Sequence, residues 1–113
     1  MSDLTISTET MKRVDLITAA GRIDSSNAQE LDDALKTPME NGRHNLVIDM
    51  QDVTYMSSAG LRALVAALRE CKKHSGDVRL CNPSERVMDV LHLAGLDSLF
   101  AVYEDATAAV GSF

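Results

Sequence analysis

Residues 45–68, NLVIDMQDVTYMSSAGLRALVAAL, carry the pattern that decides the fold. The unbroken apolar run Leu46-Val47-Ile48 predicts a strand buried on both faces, and apolar residues resume at Leu61 with the spacing of a helix. Between the two lies Tyr55-Met56-Ser57-Ser58-Ala59-Gly60. Where a strand hands over to a helix, several backbone N–H groups are unpaired and the helix dipole presents its positive end, a setting suited to an anion. Serine there ordinarily caps the helix, and either Ser57 or Ser58 fits that role. A hydroxyl in this place is also able to accept a phosphoryl group, and spacing does not separate the two.

Toward the C-terminus, Leu61, Leu64, Val65, Leu68 and Cys71 follow helical spacing, with Arg62, Arg69, Glu70, Lys72 and Lys73 largely elsewhere. The basic end Lys72-Lys73-His74 complements the helix dipole. Gly76 is read as the stop, and Val78, Leu80 and Cys81 as the next strand. Asn82-Pro83-Ser84-Glu85 predicts a helix start with Asn82 as cap; Val87, Val90, Leu91 and Ala94 supply the buried stripe, and Met88 and Leu93 either extend it or sit exposed, with core preferred over interface. Gly95 closes that helix. Residues 99–103 predict a last strand, and Asp105 caps a terminal helix over 106–110.

Toward the N-terminus, Leu4 and Ile6 alternate with Thr5 and Ser7 in a first strand that Thr8-Glu9-Thr10 turns. Residues 14–19 form the second strand, and Gly21 allows a tight exit before Ile23. One of Asp24, Ser25 and Ser26 caps a helix on Ala28, Leu31 and Leu35, with an end or kink near Thr37 set by Pro38. Glu40-Asn41-Gly42 turns back into the central strand. A hairpin followed by alternating helices and strands implies an α/β fold, a mixed and mostly parallel sheet packed with helices.

Several function classes drop out. A Gly-x-Ser-x-Gly nucleophile at Ser58 needs glycine where Met56 stands, and no Gly-rich loop ends in Lys-Ser/Thr. Asp49 and Asp52 read as strand-end turn groups rather than a catalytic pair. No catalytic constellation, metal or cofactor is expected. His44, His74 and His92 share no ligand spacing with Cys71 and Cys81, which read as small buried hydrophobes.

The chain of 113 residues is read as one domain spanning 1–113. Eleven basic against seventeen acidic residues give a net charge of −6, unfavourable for nucleic acid or anionic lipid. No apolar run reaches the roughly 20 residues of a membrane span. Two cysteines and no signal-like start point to a reduced, cytoplasmic setting. Protein partners remain.

The run Asp52-Val53-x-Tyr55-Met56-Ser57-Ser58-Ala59-Gly60-Leu61 resembles the signature of the STAS domain family of bacterial anti-sigma factor antagonists, and Gly21-Arg22-Ile23-Asp24 resembles the element before that family's first long helix. The order of predicted elements agrees over nearly the whole chain. The resemblance implies a single STAS domain with Ser58 as phosphoacceptor, Gly60 and Leu61 on the motif glycine and leucine, and Asp24 near the phosphorylation site. Ser57 stands where the family usually carries aspartate, which removes a carboxylate beside the acceptor. The expected partner-binding surface is flat and comprises Asp24, Ser57, Ser58, Gly60, Leu61 and Arg62. By the same resemblance, the unphosphorylated form binds an anti-sigma factor that is also its serine kinase, an ATPase related to histidine kinases. Phosphate breaks that complex, and a metal-dependent serine/threonine phosphatase resets it. The competing expectation is a constitutive STAS subunit docked on a transporter ATPase without phosphorylation.

Overall fold

The computed structural model describes residues 3–113. In chain order these form β1 (Leu4–Thr10), β2 (Asp15–Ile23), α1 (Ala28–Glu40), β3 (Asn45–Met56), α2 (Ser58–Lys73), β4 (Asp77–Cys81), α3 (Glu85–Leu93), β5 (Ala101–Tyr103) and α4 (Ala106–Gly111). The strands lie side by side in sequence order. β1 and β2 are antiparallel, and the pairings from β2 to β5 are parallel. The fold is therefore α/β with a mixed, mostly parallel sheet.

Strand alternation sorts the core into two layers. Leu46, Ile48 and Met50 of β3 face one side with Val78 and Leu80 of β4, against Leu31 and Leu35 of α1, Leu64 and Leu68 of α2, and Val87 and Leu91 of α3. Val47 and Cys81 face the other side, where Ala109 of α4 covers them. This two-sided burial explains why Leu46-Val47-Ile48 carries no polar residue.

Several boundaries differ from the sequence reading. Thr8-Glu9-Thr10 does not turn the chain. These residues continue β1 as an exposed edge strand, where polar side chains meet water while the backbone pairs with Ile17, Leu16 and Asp15. The turn falls after them, closed by Met11 N–H donating to Val14 O at 2.9 Å. Gly21 does not end β2 but lies within it at φ 106°, between register irregularities, where a Cβ would sit 1.9 Å from Asp3 O. Pro38 neither ends nor breaks α1, which runs to Glu40 with that ring buried.

The glycine expected to stop α2 plays another part. Ser75 takes the left-handed conformation (φ 63°), and Gly76 is needed because a Cβ there would lie 1.8 Å from His44 O. At α3 the cap is Ser84, whose Oγ accepts from Val87 N–H at 3.2 Å, not Asn82, which sits in left-handed geometry at φ 52°. Leu93 is not in the core: it is 86% exposed. The last strand is shorter than expected, and Asp105 caps α4 through Ala108 N–H at 2.8 Å.

Candidate functional site: the junction of β3 and α2

Ser57 leaves β3 in extended geometry, and its N–H donates to Ile23 O at 2.9 Å, which ties the junction to the end of β2. Its Oγ accepts from Gly60 N–H at 3.3 Å, and its carbonyl accepts the first helical bond, from Leu61 N–H at 3.1 Å. Ser57 is thus the cap, which resolves the choice between the two serines. Ser58 follows as the first helical residue, exposed, and its hydroxyl has no hydrogen-bond partner among the described residues.

Asp24 stands across the cleft at the end of β2. None of Asp24, Ser25 and Ser26 caps α1; its flanking residue is Asn27, whose Nδ2 donates to Arg22 O and whose Oδ1 accepts from Asp24 N–H, both at 2.9 Å. The Asp24 carboxylate instead closes a tight local turn, accepting from Ser26 Oγ at 2.5 Å and from Ser26 N–H at 2.9 Å, with Arg22 Nε at 3.3 Å. The Ser26 hydroxyl, then its N–H, and to a smaller extent Arg22, hold this carboxyl below its ordinary pKa. It is an ionised acceptor at neutral pH.

Asp24, Ser57, Ser58 and Arg62 share one open, polar cleft of about 520 Å³ with Arg22 and Tyr55. The expected flat surface is therefore a shallow hollow. Gly60 and Leu61 do not line it. Leu61 is 7% exposed in the main core, and a Cβ on Gly60 would lie 2.7 Å from Met56 Sδ and 2.8 Å from Ile23 Cγ2. The motif glycine is required by helix-on-sheet packing, and the motif leucine anchors the first turn.

The sequence reading missed Arg22 and Tyr55. The Arg22 guanidinium lies 4.1 Å above the Tyr55 ring, because the two residues are register partners at the carboxyl ends of β2 and β3. The signal available was positional, since open α/β sheets place their sites at the carboxyl ends of the parallel strands.

Elsewhere, Cys71 and Cys81 are free and buried, and burial foremost pushes their thiols up to about 11 and about 12. Such thiols are poor nucleophiles at neutral pH. A larger hollow of about 680 Å³ lies between α1 and α2, bounded by Leu35, Met39, Ala67 and the stacked rings of His44 and His74, 4.0 Å apart. That hollow was not anticipated from sequence. Among the described residues no helix is long and apolar enough to cross a membrane.

The STAS domain family model matches residues 5–109. The chain belongs to the STAS domain family. This STAS domain is 30% identical over 107 residues to BtrV of Bordetella bronchiseptica, which carries a provisional assignment as an anti-sigma factor antagonist; 92% of each chain is covered. It is similar to the crystal structure of an anti-sigma factor antagonist from Mycobacterium paratuberculosis, with TM-score 0.86 and 27% identity over 96% of this chain and 92% of that one. The phosphorylated form of SpoIIAA, a Bacillus cell fate determinant, shares its fold, with TM-score 0.76 and 19% identity over 96% of this STAS domain and 100% of SpoIIAA.

Proposed function

We propose that this STAS domain is an anti-sigma factor antagonist that works in the cytoplasm as a binding module rather than as a catalyst. Its unphosphorylated form binds an anti-sigma factor that is also its serine kinase, an ATPase of the histidine-kinase-like type, and so frees the factor's target. Phosphorylation of Ser58 releases the complex, and a metal-dependent serine/threonine phosphatase restores it. The observation that carries this reading is the division of labour at the junction: Ser57 satisfies the helix end, and the exposed Ser58 hydroxyl has no hydrogen-bond partner among the described residues and shares its cleft with Asp24 and Arg62.

The physical argument is one of location. Phosphate on Ser58 adds about −1.5 to −2 charges where the α2 dipole favours an anion, so the folded domain tolerates it. The same charge under a docked protein loses its water without a guaranteed counter-ion, so the complex does not tolerate it. The kinase must accept a site without the aspartate usual before the acceptor; with Ser57 there, the carboxylate that lines the same cleft is Asp24.

Affinity capture from lysate with wild-type, Ser58→Ala and Ser58→Glu baits tests the reading. A small ATPase-kinase held by the first two and lost by the third is the expected result. Retention of one and the same partner by all three, such as a transporter ATPase, would make Ser58 a passive helix residue and overturn the switch.

A further inference from the structure

We propose that the hollow between the carboxyl-terminal ends of α1 and α2 binds a small planar aromatic cation, of the class of protonated arylalkyl amines. The site lies at the far end of α2 from Ser58, about 24 Å along the helix at 1.5 Å per residue, so it does not depend on the phosphoswitch.

Shape limits the ligand first. α1 contributes Leu35 and Met39 to the walls and α2 contributes Ala66 and Ala67, and the alanines are too short to fill the space between the helices. The resulting volume of about 680 Å³ falls within the range of about 300–1,000 Å³ common to small-molecule sites. Leu35 and Ala67 are buried, so that part of the wall is fixed by the core. His44, just before β3, and His74, the cap of α2, line the same hollow with their rings stacked at 4.0 Å and 8° from parallel. Flat rings in a stack offer an aromatic face to a further ring, and a thioether such as that of Met39 favours the same neighbour. An aliphatic chain uses the apolar walls but cannot extend the stack.

Charge then selects a cation. The last turns of both helices line the hollow, so the negative ends of both dipoles lie there, and α1 has no basic residue in its last turn to offset its own. Of the charged side chains on the walls, Lys36 is tied to Asp32 at 2.7 Å, which leaves Glu40 from α1 and Glu70 from α2. Lys73 reaches Glu70 only at 3.7 Å, and even with it the three carboxylates outnumber the two ammonium groups. The neighbouring cations Arg43 and Lys72 are engaged elsewhere, with Asp15 and Asp77. An aromatic acid would face those carboxylates and both negative helix ends. A ring on the apolar walls with its ammonium toward Glu40 and Glu70 satisfies shape and charge together.

The test titrates three probes into the nitrogen-15-labelled chain. Tryptamine carries both ring and ammonium, indole-3-acetate the same ring with a carboxylate, and hexylamine the ammonium without a ring. Tryptamine is expected to shift the amide signals of Met39, Gly42, His44, Glu70 and His74 saturably, and the other two to bind about tenfold more weakly or less. Ala66→Leu, at an exposed position, puts a larger side chain into the hollow and should weaken tryptamine about tenfold. A Glu40→Gln, Glu70→Gln double variant should weaken it severalfold and narrow its advantage over indole-3-acetate. Unchanged β-sheet signals verify the fold of each variant. The absence of saturable shifts, shifts confined to the Ser58 cleft or another surface, equal binding of indole-3-acetate or of hexylamine, or indifference to Ala66→Leu or to the carboxylate variant would each overturn the proposal.

Discussion

Ser57 and Ser58 are adjacent, chemically identical and differently employed. Ser57 is bound into the backbone, and Ser58 meets water. Replacing Ser57 with alanine should therefore cost about 1 kcal/mol of stability, the ordinary worth of a serine cap, while Ser58→Ala should stay within about 0.5 kcal/mol of wild type. Urea titration followed by circular dichroism separates them; equal losses would mean that the cap assignment is wrong. Sequence alone left this pair unresolved, because both residues suit the cap and only the φ and ψ of the turn decide which hydroxyl reaches Gly60 N–H. Gly60 and Leu61 show the converse. Their positions in the motif were legible, but motif membership does not distinguish a residue that touches a partner from one that lets the helix seat on Met56 and Ile23.

At the scale of elements, periodicity carried α2 and the centre of β3, since a two-sided apolar strand and a 3.6-residue stripe are strong local patterns. It failed where a long-range contact overrode local chemistry. Thr8-Glu9-Thr10 looks like a turn but is held straight by pairing with β2, and Gly21 looks like an exit but serves a bulge against Asp3. The end of α3 carries a pairing that no periodicity shows: His92 Nδ1 lies 2.8 Å from Asp97 Oδ2 across the Gly95 turn. Hydrogen bonding to Asp97 raises the His92 pKa above its ordinary 6.5, and the same bond lowers that of Asp97 below 3.8. The sign follows from linkage. The stabilisation from His92 is fully present below about pH 6.5 and is lost as pH rises through the higher folded value; that from Asp97 is lost as pH falls through its lowered value. Proton NMR titration of the imidazole should place the wild-type midpoint above that of Asp97→Asn. Coincident midpoints would show that the pair does not hold in solution.

Across the whole molecule the two ends of the parallel strands do different work. Ser58, Asp24, Arg22 and Tyr55 gather at the carboxyl ends of β2 and β3. At the amino ends, Asp15, 3% exposed at the start of β2, accepts from Arg43 Nε at 2.6 Å, and an Arg43 Nη2 donates to Met11 O. These residues join across 28 positions of sequence, which no local pattern announces. Arg43→Met strands a buried carboxylate and should lower stability by about 3 kcal/mol in denaturant melts, while capture by the Ser58 surface, tested below the melting temperature, stays intact. A small loss would mean that Asp15 finds water or another donor, and lost capture would mean that the two ends are coupled.

The account turns on which hydroxyl receives phosphate. The most direct measurement incubates wild-type, Ser57→Ala and Ser58→Ala protein with ATP and the captured ATPase, and maps the modified residue by tandem mass spectrometry. The account predicts phosphate on Ser58 in the wild type and in Ser57→Ala, and none in Ser58→Ala. Phosphate on Ser57, or equal labelling of all three proteins, would contradict it.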